Sequence, residues 1–290
     1  MEVIASTIIR REFKHELYMK TKKAMELAGF NEKELGNKIL LKPDCRTERV
    51  LPGACTSPWV LESVIRVIQK QYPDSELFLC EWNMKALENW GLAQVCKNYN
   101  VKIIDLEKEK QEKYNGLYYP KIALAANNII NIPVAGVNHK GISGCMQNQL
   151  SITNENTKSI LKVNRDLLTD FVVIDATVCG EGAHPYMSVP KVRDTIIAGK
   201  DVVAADNALC TLAGVKQPGY LKKAEEKEMG TSNYKLIGSL KGKNLTPKGY
   251  PANPLTRDMV AYFWYKFKGR KIAQKILKHP LYGQEFKELF

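Results

Sequence analysis

Four short polar segments, each following an apolar run, hold most of the side chains that could do chemistry. After "KILLK" come Lys42, Asp44 and Cys45, then the turn "GACTSP" with Cys55, Thr56 and Ser57. After "ELFL" come Cys80 and Glu81, and after "IPVAGV" come His139, Lys140, Cys145, Gln147 and Asn148. After "FVVI" comes "DATVCGEGAHP", with Asp175, Cys179, Glu181 and His184. Glu181 and His184, three residues apart in a glycine-containing loop, could supply a general acid and base, against the plainer reading of a solvated loop. Lys42, at the end of an apolar strand, is either shifted toward neutrality by burial or a fixed cation for a carboxylate or phosphate, with a strand-end salt bridge as the plainer alternative.

The elements that must position these residues alternate along the chain. "EVIASTII", "KILLK", "ELFLC" and "VKIID" read as strands, separated by the helical patterns "FKHELYMKTKKAMELAGF", "SPWVLESVIRVIQKQ" and "MKALENWGLAQVCKNY". The order resumes with "NIINIPVAGV", the helix-like "GCMQNQLSI", the strand "FVVID" ended by Asp175, and "DTIIAGKDVVAADNALCTLAGV", a strand, a turn and a helix closing at Gly214. Such alternation predicts an α/β fold, a mostly parallel sheet with helices on both faces. In that architecture ligands bind outside the carboxyl ends of the strands. The four segments therefore converge on one edge.

"GACTSP" feeds a helix N-terminus, where Thr56, Ser57 and unsatisfied N–H groups could hold an anion. It lacks the lysine and hydroxyl ending of a Walker loop, and no GxGxxG is present, so neither an ATP nor an NAD motif supports a nucleotide site. Asp201 suits a helix cap, and Asp206, one turn later, could face the site. The seven cysteines include no CxxC pair, and reduced thiols are expected. Cys45, Cys55, Cys145 and Cys179 would suffice for an iron–sulfur cluster or metal ion if their loops converge. They could equally fill tight loops as small hydrophobes, or one could act as a nucleophile beside His184.

At 44% apolar and 26% charged residues, the chain has the composition of a globular domain rather than a disordered one. No window approaches the roughly 18 apolar residues of a membrane span, and no basic region precedes the first apolar run, so a cytoplasmic protein without a signal peptide is expected. Of the formal net charge of +12, nine units fall between Thr231 and Phe290, which hold twelve Lys or Arg and three Asp or Glu. The expected organisation is an α/β domain over 1–230 and a basic C-terminal helical extension over 231–290. Its segment "WYKFKGRKIAQKILKHP" suits a solvated amphipathic helix, a subunit contact in a homodimer, or an anionic partner such as nucleic acid.

In this order the segments resemble the family labelled domain of unknown function 362. "ILLKPDCRTERVLPGACTSPWVLESVIRVI" is similar to its strand, Lys-Pro-Asn, threonine-loop and helix opening, and "NHKGISGCMQN" to its central His and Lys-Asn segment. "FVVIDATVCGEGAHP" resembles its strand-Asp and Glu-Gly-x-x-Pro element, and "IIAGKDVVAADNALCTLAGV" its Asp-Pro-Val-Ala-x-Asp helix. The resemblance spans about residues 38 to 230. Asp44 stands where that family usually has Asn, Gln147 where it has Lys, and Val202 where it has Pro; the ferredoxin-like cysteine run of many members is lacking. The residues and the resemblance together give the expectation of an enzyme for a small, anionic molecule. Lys42, Glu181, His184 and Asp206 are its expected catalytic residues. Asp44, Thr56, Ser57, Glu81, His139, Asn148 and Asp175 would bind the substrate. The alternative is a protein that binds nucleic acid or another acidic partner through its basic C-terminal region.

Overall fold

The computed structural model describes residues 1–8, 14–138, 141–185, 187–238 and residues 271, 272 and 275. Its elements in chain order are β1 (Glu2–Ile8), α1 (Lys14–Leu27), β2 (Lys38–Pro43), α2 (Pro58–Gln71), β3 (Glu76–Glu81), α3 (Met84–Asn89), α4 (Leu92–Asn98) and β4 (Lys102–Asp105). A small hairpin of β5 (Gln111–Tyr114) and β6 (Leu117–Pro120) leads into α5 (Lys121–Ala125), β7 (Asn128–Ile132), β8 (Val134–Asn138), β9 (Gly141–Ser143), α6 (Cys145–Leu150) and α7 (Ile160–Asp166). The long strands β10 (Phe171–Ala183) and β11 (Met187–Gly199), then α8 (Val202–Ala213), α9 (Gly219–Glu226) and β12 (Tyr234–Gly238), complete them.

The main sheet runs β12-β1-β11-β10-β7-β2-β3-β4, with β8 and β9 attached beyond β10. β4, β3, β2, β7 and β10 are mutually parallel, whereas β11 pairs antiparallel with both β10 and β1. The mixed, mostly parallel α/β fold is thus present. Alternate residues of each strand feed opposite faces: Ile39 and Leu41 pack with α1 to α4, Leu40 with α5 to α9. Side-chain alternation along a strand with helices on both sides makes this arrangement.

Local chemistry sets the element ends. Ser57 caps α2 by accepting the Val60 N–H, with Pro58 in the first turn. Asp201 caps α8 by accepting from Val203 and Ala204, and Gly214 closes it in the left-handed region. The pattern "MKALENWGLAQVCKNY" forms two helices rather than one, because Gly91 at φ 70° turns the chain between them. "NIINIPVAGV" likewise forms two strands broken at Pro133, whose ring leaves no N–H for a ladder.

The largest departure from the sequence reading lies in "DATVCGEGAHP". Asp175 does not end its strand: β10 continues to Ala183 and pairs with β11 to Met187, with a register shift between Ala176 and Val178. β8 pairs with this two-stranded arm at Gly180. Glu181 therefore sits on a strand and His184 at the arm's tip, not in a strand-to-helix loop.

β12 lies past the boundary at residue 230 and is nevertheless an edge strand of the main sheet, parallel to β1. Lys271, Ile272 and Lys275 are helical, and Ile272 packs, with Val192, on Val178 of the arm. The rest of the basic extension, and with it its suggested nucleic-acid or dimer contact, lies outside the described residues, as does His139. Among the described residues no helix is long and apolar enough to cross a membrane.

Candidate functional site

Lys42 and Glu81 meet at the carboxyl ends of adjacent strands β2 and β3. Lys42 Nζ donates to Glu81 Oε2 at 2.9 Å and to the Pro43 carbonyl at 2.7 Å, while Glu81 Oε1 accepts the Trp82 N–H at 2.9 Å. The Lys42 side chain is fully buried. Burial pulls its pKa down, but the Glu81 carboxylate beside it outweighs this, and the net shift is upward. Lys42 is thus held charged in the strand-end salt bridge that was the plainer alternative to both chemical roles. Asn148, on α6, donates to the Lys42 carbonyl and to Asn131 Oδ1, both at 2.8 Å, locking α6 to β2 and β7.

Asp44, two residues beyond Lys42, holds Arg46 in a fork: Nε to Oδ1 at 2.7 Å and Nη2 to Oδ2 at 2.5 Å. Nη2 also donates to Ser143 Oγ at 3.0 Å, and Nη1 is bonded to none of the described residues. Burial pushes the Asp44 carboxyl up, and the Arg46 guanidinium more than reverses this, leaving it below the ordinary carboxylate range. Arg46 and Glu81 line a cleft of about 420 Å³ together with Trp82, Asn83, Gln147 and Asn154. That volume suits a small ligand. Arg46 was missed in the sequence, where its signal was its place two residues past Asp44 in the same strand-end loop.

The anion positions expected at helix N-termini are filled by the protein's own carboxylates. Asp175 Oδ2 accepts the Ser57 N–H at 2.7 Å, and its Oδ1 takes the Thr177 N–H and hydroxyl. Asp206 accepts the N–H groups of Cys145 at 2.6 Å and Met146 at 3.1 Å, capping α6 from α8. Thr56 Oγ1 is spent between the Asp44 N–H and the Ile132 carbonyl. Asp175, Asp206, Thr56 and Ser57 therefore build the edge rather than face the cleft. Burial raises both carboxyls, Asp206 to about 6.

The structure separates Glu181 from His184. Glu181 lies 3.6 Å from Lys191, and burial raises its pKa against the pull of Lys191 and Arg193. His184 instead packs on Gly136 and Gly180: a Cβ on Gly136 would lie 2.5 Å from its ring, and one on Gly180 2.4 Å from Nδ1. Its Nδ1 is 3.3 Å from Ser188 Oγ, and buried Nε2 has no partner among the described residues. Burial lowers the His184 pKa to about 4, opposed by the Asp44 charge and a bond to the Gly53 carbonyl and aided by Arg46. The imidazole is neutral at pH 7, beside the Asp44–Arg46 pair. Gly136→Ala is expected to displace this ring and cost about 1–3 kcal/mol, measured by denaturant unfolding; an unchanged midpoint would contradict the close packing.

The cysteines do not converge. Cys45 and Cys55 pack on the α1–α4 face, Cys145 and Cys179 on the opposite face. Among the described residues no three His, Cys, Asp or Glu side chains cluster as a metal site. Burial pushes the Cys45, Cys145 and Cys179 thiols above their ordinary values. The four do not fit an iron–sulfur cluster or metal ion, because they fall in two separate hydrophobic clusters and no three such ligands come together among the described residues. A nucleophilic Cys179 beside His184 has no support either, since its thiol is held protonated and points to the Ala176 carbonyl.

Fold and site together define a class: an α/β protein with its cleft at the carboxyl edge of a mostly parallel sheet, floored by buried ion pairs. The chain belongs to the family described as Domain of unknown function (DUF362), whose model matches residues 39–211, more than half of it. No curated protein matches the chain.

Proposed function

We propose that the chain is an enzyme that binds a small, anionic molecule in the cleft at the carboxyl edge and acts on it by acid–base chemistry. The observation that carries this reading is Arg46: a guanidinium fixed by a buried carboxylate, lining a cleft, with Nη1 bonded to none of the described residues. Held in this way, it offers a preorganised cation that loses little freedom on binding. His184, buried behind the cleft wall within the field of Asp44 and Arg46, is the proton acceptor in this reading. It is neutral at pH 7, and an anion beside it would raise its pKa and so its basicity in the complex. The Lys42–Glu81 pair fixes the strand ends, and Glu81 forms part of the wall. Glu181 has no part in it, because its carboxylate faces Lys191.

Sulfate and phosphate serve as probes. Each is expected to raise the unfolding temperature in a saturable way. Arg46→Lys keeps a counter-charge for Asp44 but loses the fork, and is expected to weaken the probe by at least about tenfold. An equal shift in wild type and variant, or none in wild type, would remove the anion-binding reading.

A further inference from the structure

The loop that carries Arg46 has a pair of thiols at its neck. Asp44 and Thr56 are tied twice, through Thr56 N–H to the Asp44 carbonyl at 2.8 Å and Asp44 N–H to Thr56 Oγ1 at 2.8 Å. The next residues inward from this tie are Cys45 and Cys55, which therefore face each other across the neck as cross-strand neighbours do. Both are buried on the same face of the sheet. Cys55 Sγ points to the Thr47 carbonyl at 3.8 Å, and the same carbonyl accepts Trp90 Nε1 at 2.7 Å. Each thiol thus lies against the chain on either side of Arg46. Burial, and the Cys55 thiol beside it, keep the Cys45 thiol protonated at neutral pH.

We propose that Cys45 and Cys55 form a reversible disulfide that switches the Arg46 loop between two arrangements, with a small peroxide as oxidant. One thiolate attacks the peroxide oxygen, giving a sulfenic acid and, with a proton, water. The second thiol displaces that hydroxyl as a second water and closes the S–S bond. Two thiols and one hydrogen peroxide thus become one disulfide and two waters. A peroxide suits the site because the oxidant must pass into a buried neck, and because protonated thiols make the reaction slow and dose-dependent. Closing the bond brings the sulfurs to about 2.05 Å, which takes Cys55 off the Thr47 carbonyl and draws in the backbone next to Arg46. The guanidinium then shifts relative to Asp44 and Ser143. A shift on the order of an ångström is expected to weaken an anion at Arg46 by roughly tenfold.

The effect on Arg46 rests on the proposed anion site; disulfide formation does not. After limited hydrogen peroxide, thiol titration of the unfolded protein is expected to find two of the seven thiols lost. Peptide mapping should show one Cys45–Cys55 link, reversed by dithiothreitol and absent in both Cys45→Ala and Cys55→Ala. Sulfate should bind the oxidised protein roughly tenfold more weakly than the reduced protein. Retention of all seven thiols, a different pair, or irreversible acids at these two residues would overturn the switch. A Cys45–Cys55 link with unchanged sulfate affinity would overturn its coupling to Arg46. Absence of any sulfate response in the reduced protein would instead count against the anion site, and the mapping would still decide the disulfide.

Discussion

Glu81→Gln is expected to destabilise the protein by about 3–5 kcal/mol, because it leaves the Lys42 ammonium charged inside the sheet edge with a neutral partner. Lys42 has no exposed side-chain surface and Glu81 has 3%, so water cannot replace the lost charge. At about 2–4 °C per kcal/mol, the unfolding midpoint should fall by about 10 °C. A variant in which both become apolar, Lys42→Met with Glu81→Leu, should recover most of that loss, since removing a buried pair outright costs far less than breaking it. Denaturant titration of Lys42→Met, Glu81→Leu and the double gives the coupling directly. If the double were as unstable as the sum of the singles, the pair would not be the interaction that matters. The pH sign follows from the raised Lys42 pKa: the pair's stabilisation is fully present below the unfolded lysine value of about 10.4 and is lost only as pH rises through the higher folded value.

Between pH 7 and pH 5 two buried groups are expected to pull stability in opposite directions. His184 has its folded pKa lowered to about 4, so the unfolded chain takes up the proton first. Its contribution is present above the unfolded value of about 6.5 and is lost as pH falls toward about 4. Asp206 is the reverse: burial raises it to about 6, so the folded protein takes up the proton first. The stability linked to that proton is complete below the unfolded value of about 3.9 and is lost as pH rises through about 6. Each effect amounts to about 1–2 kcal/mol over this window, so they largely offset in the wild type. His184→Asn should therefore become more stable relative to its own pH 7 value on acidification. Asp206→Asn, which removes the largest opposing titration, should become less stable. Unfolding free energies at pH 7, 6 and 5 separate the two, and slopes of the same sign in both variants would refute the assignment.

The offset arises because one sheet edge buries groups of both kinds, and this is where the sequence reading and the structure part. Lys42, Asp44, Glu81 and Asn148 could be placed together from sequence because each falls at the end of an apolar strand or in the segment that follows one, and a parallel sheet gathers such positions at one edge. The caps at Ser57 and Asp201 were also legible, being local chemistry between residues two or three apart. The shared loop expected for Glu181 and His184 is absent, since nothing near "DATVCGEGAHP" reveals that β11 pairs alongside it and prolongs the strand to Ala183. Spacing suggested a shared site. Strand alternation and the arm's turn gave Glu181 to Lys191 and His184 to Asp44 and Arg46.

The sequence by itself determined the alternation of strands and helices, the edge on which polar residues gather and the membership of the family, because hydrophobic period and strand-end position are local properties of the chain. Only the tertiary structure decided what each polar group meets there. Asp175 and Asp206 fill the helix N-termini that looked open to a ligand, and the four loop cysteines fall in two separate hydrophobic clusters. Among the described lining residues, Arg46 is the one cation, beside the carboxylates Glu81 and Glu155. These outcomes depend on contacts between segments some 60 to 120 residues apart, such as Cys145 with Asp206 and Ser57 with Asp175. The physical reason is that a buried carboxylate or thiol takes the partner that packing brings within hydrogen-bond range, and spacing along the chain does not encode that partner.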